Sequence, residues 1–183
     1  MLAACCLPVI GAACFFATPV ILGAAVVDLA LSEVQVGILG SSLLSGSAIS
    51  AVVTAFLVRR LQWHLLAYVA LLAEAIGFFA AAHVDTFAAI LVPFWLASLG
   101  GGALYSLALT VLSDHPQSVR LFGLSISVQV FFQVLVLLSM PWFMVPGGLA
   151  DCLYGLLGLC LIGGLLVHLL PKQSSIPADQ ETM

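Results

Sequence analysis

Long apolar runs, broken by short polar interruptions, fill the chain from Ala3 to Leu170. A membrane-spanning helix needs about 20 predominantly apolar residues, and six segments reach that length. The first runs from about Ala3 to Val27 and ends at Asp28, the second from about Gln35 to Val58, the third from about Gln62 to Ala82. The fourth runs from about Thr86 to Leu112, the fifth from about Leu121 to Met144, the sixth from about Gly147 to Leu170. Pro8 and Pro19 fall inside the first segment. Membrane helices tolerate proline where neighbours take up the freed carbonyls. Pro171 stops the sixth segment, and Lys172 to Met183 reads as a disordered tail. The pattern predicts an all-α, polytopic integral membrane protein. Residues 1–170 form one six-helix transmembrane domain and 171–183 a polar cytoplasmic tail. The links are short, which leaves no room for a soluble domain and predicts that successive helices are antiparallel neighbours.

Small residues add a second pattern. In the second segment Gly37, Ser41 and Ser45 form one i,i+4 row, and Ser42, Gly46, Ser50 and Thr54 another. The fourth segment carries Ser98, Gly102 and Ser106 in one row and Gly100 with Leu104 in the next, with Gly101 between them. Small side chains let membrane helices approach closely, because packing rather than exclusion from water holds them together. The second and fourth helices are therefore expected to face protein on more than one side, and the Leu- and Gly-rich sixth helix to be peripheral. A faint internal repeat accompanies this. Ser32 and Gly37 open the second helix with the same spacing as Ser118 and Gly123 open the fifth. An inverted three-plus-three repeat of this kind underlies many secondary transporters.

Composition narrows the class further. Of 183 residues, 63% are hydrophobic and 7% charged, with a mean hydropathy of +1.27. Soluble domains carry about a quarter charged residues, so most of this surface must meet lipid or protein. Four Lys and Arg residues cannot build a basic stripe, so no nucleic acid is expected as a partner. The five cysteines, Cys5, Cys6, Cys14, Cys152 and Cys160, lie in or beside apolar segments without a metal-binding spacing and read as small buried hydrophobes. The four histidines share no ligand spacing, so neither metal nor cofactor is expected. No nucleophile–base pair or phosphate loop argues for an enzyme. The Leu2–Cys5 run imitates a lipoprotein box, but no basic region precedes it. The first apolar run lacks the positive leader of a signal peptide and is long enough to span.

Charge sets the orientation. Arg59 and Arg60 lie between the second and third segments, Arg120 between the fourth and fifth, and Lys172 after the sixth. With six spans these places fall on one side, opposite Asp28, Glu33, Asp85 and Asp151. The positive-inside rule puts that side, and both termini, in the cytoplasm of a cell (inner or plasma) membrane. Trp63 and Trp142 sit near segment ends, as an interfacial belt requires, whereas Trp95 lies deeper and reads as a packing residue.

Few residues offer chemistry. Glu74 is the one ionisable group deep in a span. A carboxylate at that depth is costly unless protonated, paired or hydrated, which makes Glu74 a candidate for binding and releasing a coupling proton. The plain alternative is a protonated or hydrogen-bonded packing residue. Gln129 and Gln133 share one face of the fifth helix at i,i+4, and their amides need partners within hydrocarbon. Tyr105 and Thr110 on the fourth helix and Thr18 on the first add hydroxyls. These groups are suited to a polar solute or, equally, to bonding between helices. Arg59 and Arg60 set topology and meet lipid phosphates, or serve a cytoplasmic gate.

Leu31–Gly37, the small-residue helix after it, the Arg59–Arg60 pair, Gly100–Tyr105 and the six-span layout together resemble one half of a major facilitator superfamily transporter, over Ala3 to Leu170. The loop before the third helix departs from that family's G-x-L-A-D-R-x-G-R-[RK] pattern. In Ala55–His64 only Leu57 and Arg60 match, and Arg59 stands where the family has Asp. The arginine common in the fourth helix would fall near Leu96 and is missing, and the fifth helix lacks the glycine–proline pattern of drug/proton antiporters. The resemblance implies a cavity lined by helices one, two, four and five, with Thr18, Tyr105, Gln129 and Gln133 positioned to line it. It also implies that a single bundle, most similar to an N-terminal half with a C-terminal half as the competing assignment, supplies one wall. Transport of a small solute by alternating access then requires a second half, most simply another copy in a homodimer, or else the chain is a truncated remnant. The competing expectation is a non-transporting membrane interaction or scaffold protein.

Overall fold

The computed structural model describes residues 2–144 and 148–168, with side chains from Cys6 to Ser139 and from Gly148 to His168. The described residues form helices joined by short links: α1 (Leu2–Gly11), α2 (Ala13–Leu29), α3 (Glu33–Leu57), α4 (Trp63–Ala81), α5 (Phe87–Ser113), α6 (Ser118–Met144) and α7 (Gly148–Val167). Helices α1 and α2 share the first span, so six helical runs are long and apolar enough to cross a membrane. This is a multi-pass membrane architecture, and each predicted segment matches one span. The expected tail from Lys172 and the position of Trp142 lie outside the described residues and side chains.

Local chemistry explains the helix ends. Ser32 caps α3: its hydroxyl accepts from the Gln35 amide at 3.4 Å, while the Gln35 side-chain oxygen accepts from the Ser32 amide at 2.9 Å. This reciprocal box satisfies two of the free amides that begin every helix. The preceding Ala30 takes a left-handed conformation, φ 49°, and turns the chain out of α2. At the start of α7 the cap comes from a distant residue. Asp28, at the end of α2, accepts from the Leu149 amide at 2.6 Å. Gly148 holds φ +61°, and a Cβ there would strike the Asp28 carboxylate. The first and last spans are thus tied at one end by a charge-assisted bond to a helix N-terminus, where a negative group is favoured.

Helix α5 is the centre of the bundle. It packs extensively on α3 and α4 and also on α1, while α4 in turn packs on α7. The small residues of α5 permit this. Ser98, Gly100, Gly101 and Gly102 are all buried, and a Cβ on Gly100 would meet the backbone of Ala70 and Glu74 on α4. A second close approach joins Gly77 of α4 to the Ala97 backbone of α5. Because α5 lies between α3 and α4, those two sequence neighbours make no extended contact. The expectation that successive helices are neighbours therefore fails at this link. A short loop limits the distance between helix ends but not what lies between the helix bodies.

Three further expectations are corrected. The small-residue face of α3 is packed on one side only: Gly46, Ser50 and Thr54 are buried against the bundle, but Gly37, Ser41 and Ser45 are exposed. The least buried spans are α3 and α6 rather than α7. Trp63 opens α4, near a segment end as expected, but is buried, and Trp95, expected to pack, is partly exposed. Trp63 is 2% exposed and donates from Nε1 to the Val58 carbonyl at 2.9 Å, closing the end of α3, whereas Trp95 is 39% exposed. Depth along the membrane normal says nothing about which side of a helix a residue occupies.

Candidate functional site

The first span is interrupted where it meets α5. Ala12 lies between α1 and α2, bonded back to the Pro8 carbonyl at 3.0 Å and accepting from Phe16 at 2.9 Å. No such bond joins the Gly11 carbonyl to Phe15. Gly11 faces α5 so closely that a Cβ would lie 2.6 Å from the Tyr105 amide nitrogen and 2.8 Å from the Gly101 carbonyl oxygen. The backbones of the first and fourth spans touch here, and the helical ladder lapses at the point of contact.

A partly open cavity of about 370 Å³ adjoins this break. Its walls come from α1 and α2 (Gly11, Cys14, Phe15, Thr18), α3 (Leu43, Leu44, Ser47, Ala48, Ala51), α5 (Ser98, Gly101, Gly102, Tyr105) and α6 (Gln129). Helices α3 and α6 make no extended contact with each other across it. Three of the sequence-selected residues, Thr18, Tyr105 and Gln129, meet in this one cavity. Gln133 is half-buried and does not line it. One turn along a helix carries a residue about 5 Å, so sharing a face at i,i+4 does not guarantee sharing a pocket.

The polar groups differ in how they are satisfied. Thr18 donates to the Cys14 carbonyl at 2.9 Å within its own helix, and Gln129 donates to the Ser125 hydroxyl at 3.1 Å. Thr110 likewise bonds back to Ser106 at 3.0 Å. The Tyr105 hydroxyl has no hydrogen-bond partner among the described residues, and the Gln129 amide spends only one N–H, so both wall groups have capacity to spare. Hydroxyl contacts that cross between helices include Ser106 to the Ala51 carbonyl at 3.2 Å, Ser42 to the Leu91 carbonyl at 3.5 Å and, away from the cavity, Tyr68 to the Gly164 carbonyl at 3.5 Å.

Glu74 sits behind the wall rather than in it. It is 0% exposed, on the face of α4 that packs against α5, and neither carboxyl oxygen has a formed hydrogen bond among the described residues. The thiols of Cys14 on α2 and Cys160 on α7 lie close enough to interact with it, Cys160 within range of a weak S–H contact. A Cβ on Gly101 would stand 3.2 Å from Glu74 Oε1 and 2.6 Å from the Gly11 carbonyl oxygen. Thus Glu74, the Gly11 carbonyl and the cavity meet at the missing side chain of Gly101. From sequence alone the two thiols read only as buried hydrophobes. Nothing in their spacing announces that Cys14 and Cys160 flank a carboxyl 60 or more residues away in the chain, although three consecutive glycines in one span do announce a place where backbones touch.

At the end of the bundle that carries the α3–α4 link, Arg59 pairs with Asp114 at 3.5 Å, joining the ends of α3 and α5. Arg60 is exposed on the same link. Among the described residues no group of three or more His, Cys, Asp or Glu side chains is arranged to hold a metal ion.

No protein-family model, curated protein or solved structure matches this chain.

Proposed function

We propose that the chain is one six-helix half of a secondary transporter similar to the major facilitator superfamily, moving a small solute by alternating access together with a second bundle. The observation that carries this reading is the cavity built from the first, second, fourth and fifth spans, with Thr18, Tyr105 and Gln129 on its wall. Those are the spans that line the cavity in the resembled family, while the third and sixth, α4 and α7, pack outside it. The helix contacts also follow an approximate two-fold pattern. Span one packs on span four and span three on span six; span two on span four is echoed by span five on span one. Gly37 and Gly123, the matched glycines of the faint repeat, both face open space.

In this reading α3 and α6 present their exposed faces to the second bundle, which supplies the missing wall and is most simply another copy of this chain. Glu74 holds the coupling proton. The membrane is the inner or plasma membrane, with Arg59, Arg60 and Arg120 on the cytoplasmic side. Arg59 with Asp114 holds the cytoplasmic ends of α3 and α5 together, with the charges reversed relative to the family's acidic loop position.

A panel of small sugars, organic cations and carboxylates, screened by thermal shift on the purified protein, tests the reading. A solute that stabilises the wild type loses its effect in Gln129→Ala and Tyr105→Phe but keeps it in Gln133→Ala. A stabilising solute indifferent to both cavity variants would defeat the proposal. The scaffold reading is favoured by one observation: Thr18 and Gln129 are already bonded within their own helices. It gains if no solute binds while the exposed Gly37–Ser41–Ser45 row proves essential for capture by a membrane complex.

A further inference from the structure

We propose that Glu74 exchanges its proton with the cavity through the gap at the α1–α2 break, between Gly11 and Gly101, and that the absence of a side chain at position 101 keeps this route open. The inference rests on the transport reading for its purpose, but the exchange itself does not require transport.

A carboxyl group with no exposure and, among the described residues, no cation beside it and no formed hydrogen bond is costly to hold in a membrane bundle unless it takes up a proton from somewhere. The titratable groups that face it are the Cys14 thiol from α2 and the Cys160 thiol from α7. Helices α1 and α5 present only backbone at Gly11, Gly100 and Gly101. Neither thiol opens onto water on the far side of α4, because Cys160 is buried in α7. Toward the cavity the situation differs. Gly11, Cys14 and Gly101 are at once neighbours of the carboxyl and part of the cavity wall. The barrier there is one backbone thick. It contains a carbonyl, that of Gly11, released from the regular helical ladder and therefore able to accept a hydrogen bond from the acid or from a water. Discontinuous membrane helices offer freed backbone groups to ions and protons in this way. In the exchange the acid O–H bond breaks, its proton passes to a cavity water as hydronium, and a solvent proton re-forms the O–H bond. The carboxylate is transient and next to the opening. Gly101 is a positioning residue: a Cβ there would crowd both the Gly11 carbonyl oxygen, at 2.6 Å, and Oε1, at 3.2 Å.

The test uses the full chain in lipid nanodiscs and the infrared carbonyl band of the protonated acid, defined as the band lost in Glu74→Gln. On transfer to heavy water the wild-type band shifts promptly. Gly101→Val slows the shift by at least about tenfold. Since valine at this tight contact can disturb folding, Ala48→Trp provides an independent block: Ala48 lines the cavity but is exposed, so tryptophan fills the space without entering the core. It slows the exchange as well, with unchanged helix content and melting temperature. Exchange at the wild-type rate in both variants overturns the route. So does the lack of any Glu74-dependent acid band at neutral pH, since the carboxyl would then hold no proton to exchange. Prompt exchange in a protein that binds no solute counts against transport and leaves the route standing.

Discussion

The two sides of this bundle are built to different standards. On one side α5 is pressed between α3 and α4, with Gly100 against the Ala70 and Glu74 backbone and Gly77 against Ala97. On the other, α6 lies loosely over α1, α2 and α7. An apolar cleft of about 390 Å³ remains between α2, α6 and α7, lined by Ile21, Phe132, Val136 and Leu156 among others. Glycines on that side, such as Gly123 and Gly155, have nothing near the place a Cβ would occupy. In hydrocarbon there is little gain from hiding apolar surface, so tightness comes from backbone contact and fixed polar groups. The difference teaches where this molecule is rigid and where it has room. The tight side holds Glu74 and, through α3 and α5, much of the cavity wall, to which the roomy side adds Gln129 of α6.

The strongest way to break the comparison is to put a side chain into the tight side. Gly100→Leu is expected to prevent folding, and Gly100→Ala to cost about 1–3 kcal/mol or more by overpacking. Gly155→Ala on the loose side is expected to change stability by no more than about 1 kcal/mol, and toward greater stability, because alanine is the better helix former. Reversible unfolding in mixed detergent micelles measures both. If the two alanine variants behaved alike, the two sides would not differ in packing.

A smaller effect is expected where the first span is fastened to the last. Asp28→Ala leaves the Leu149 amide without its acceptor and is expected to cost about 1–3 kcal/mol. Asp28→Asn restores part of the loss. The same unfolding assay reads it, and amide exchange at Leu149 localises it. Arg59 with Asp114 is expected to contribute less, about 0–1 kcal/mol in a double-mutant cycle, because the pair sits at a helix end with the arginine partly exposed. The smallest effect falls on the exposed row. Ser41→Ala should leave the stability of the isolated bundle unchanged, and Gly37→Ala, like Gly155→Ala, should raise it by no more than about 1 kcal/mol. If α3 docks against a second copy, they instead weaken association, which analytical ultracentrifugation in detergent detects.

The sequence carried the spans well. Each of the six predicted segments coincides with a span to within a few residues, because a lipid-crossing helix is specified by length and apolarity alone. Facing was harder. Ser42–Gly46–Ser50–Thr54 and Gly37–Ser41–Ser45 are equally small rows, and only the first contacts its neighbours. Choosing between them needs knowledge of where α5 lies. The break at Ala12 was equally hidden. Pro8 and Pro19 mark a weakened helix, but the interruption falls where Gly11 meets Gly101 and Tyr105, a contact made across the chain. Of the selected site residues, Thr18, Tyr105 and Gln129 converge. Gln133 lies one turn away, and Glu74 stands behind the wall. A lone buried acid is legible from sequence; the thinness of the barrier in front of it is a property of three glycines from two helices.

The central claim is that the first, second, fourth and fifth spans enclose a water-accessible cavity within the membrane. Cysteine substitutions at Ala48, Tyr105 and Gln129, with Leu138 on an exposed apolar face as the reference, test it in sealed vesicles with a charged, membrane-impermeant thiol reagent. Labelling above the native-cysteine background is expected at the three cavity positions and none at position 138. Absence of labelling at all three from either side, in folded protein, would contradict it.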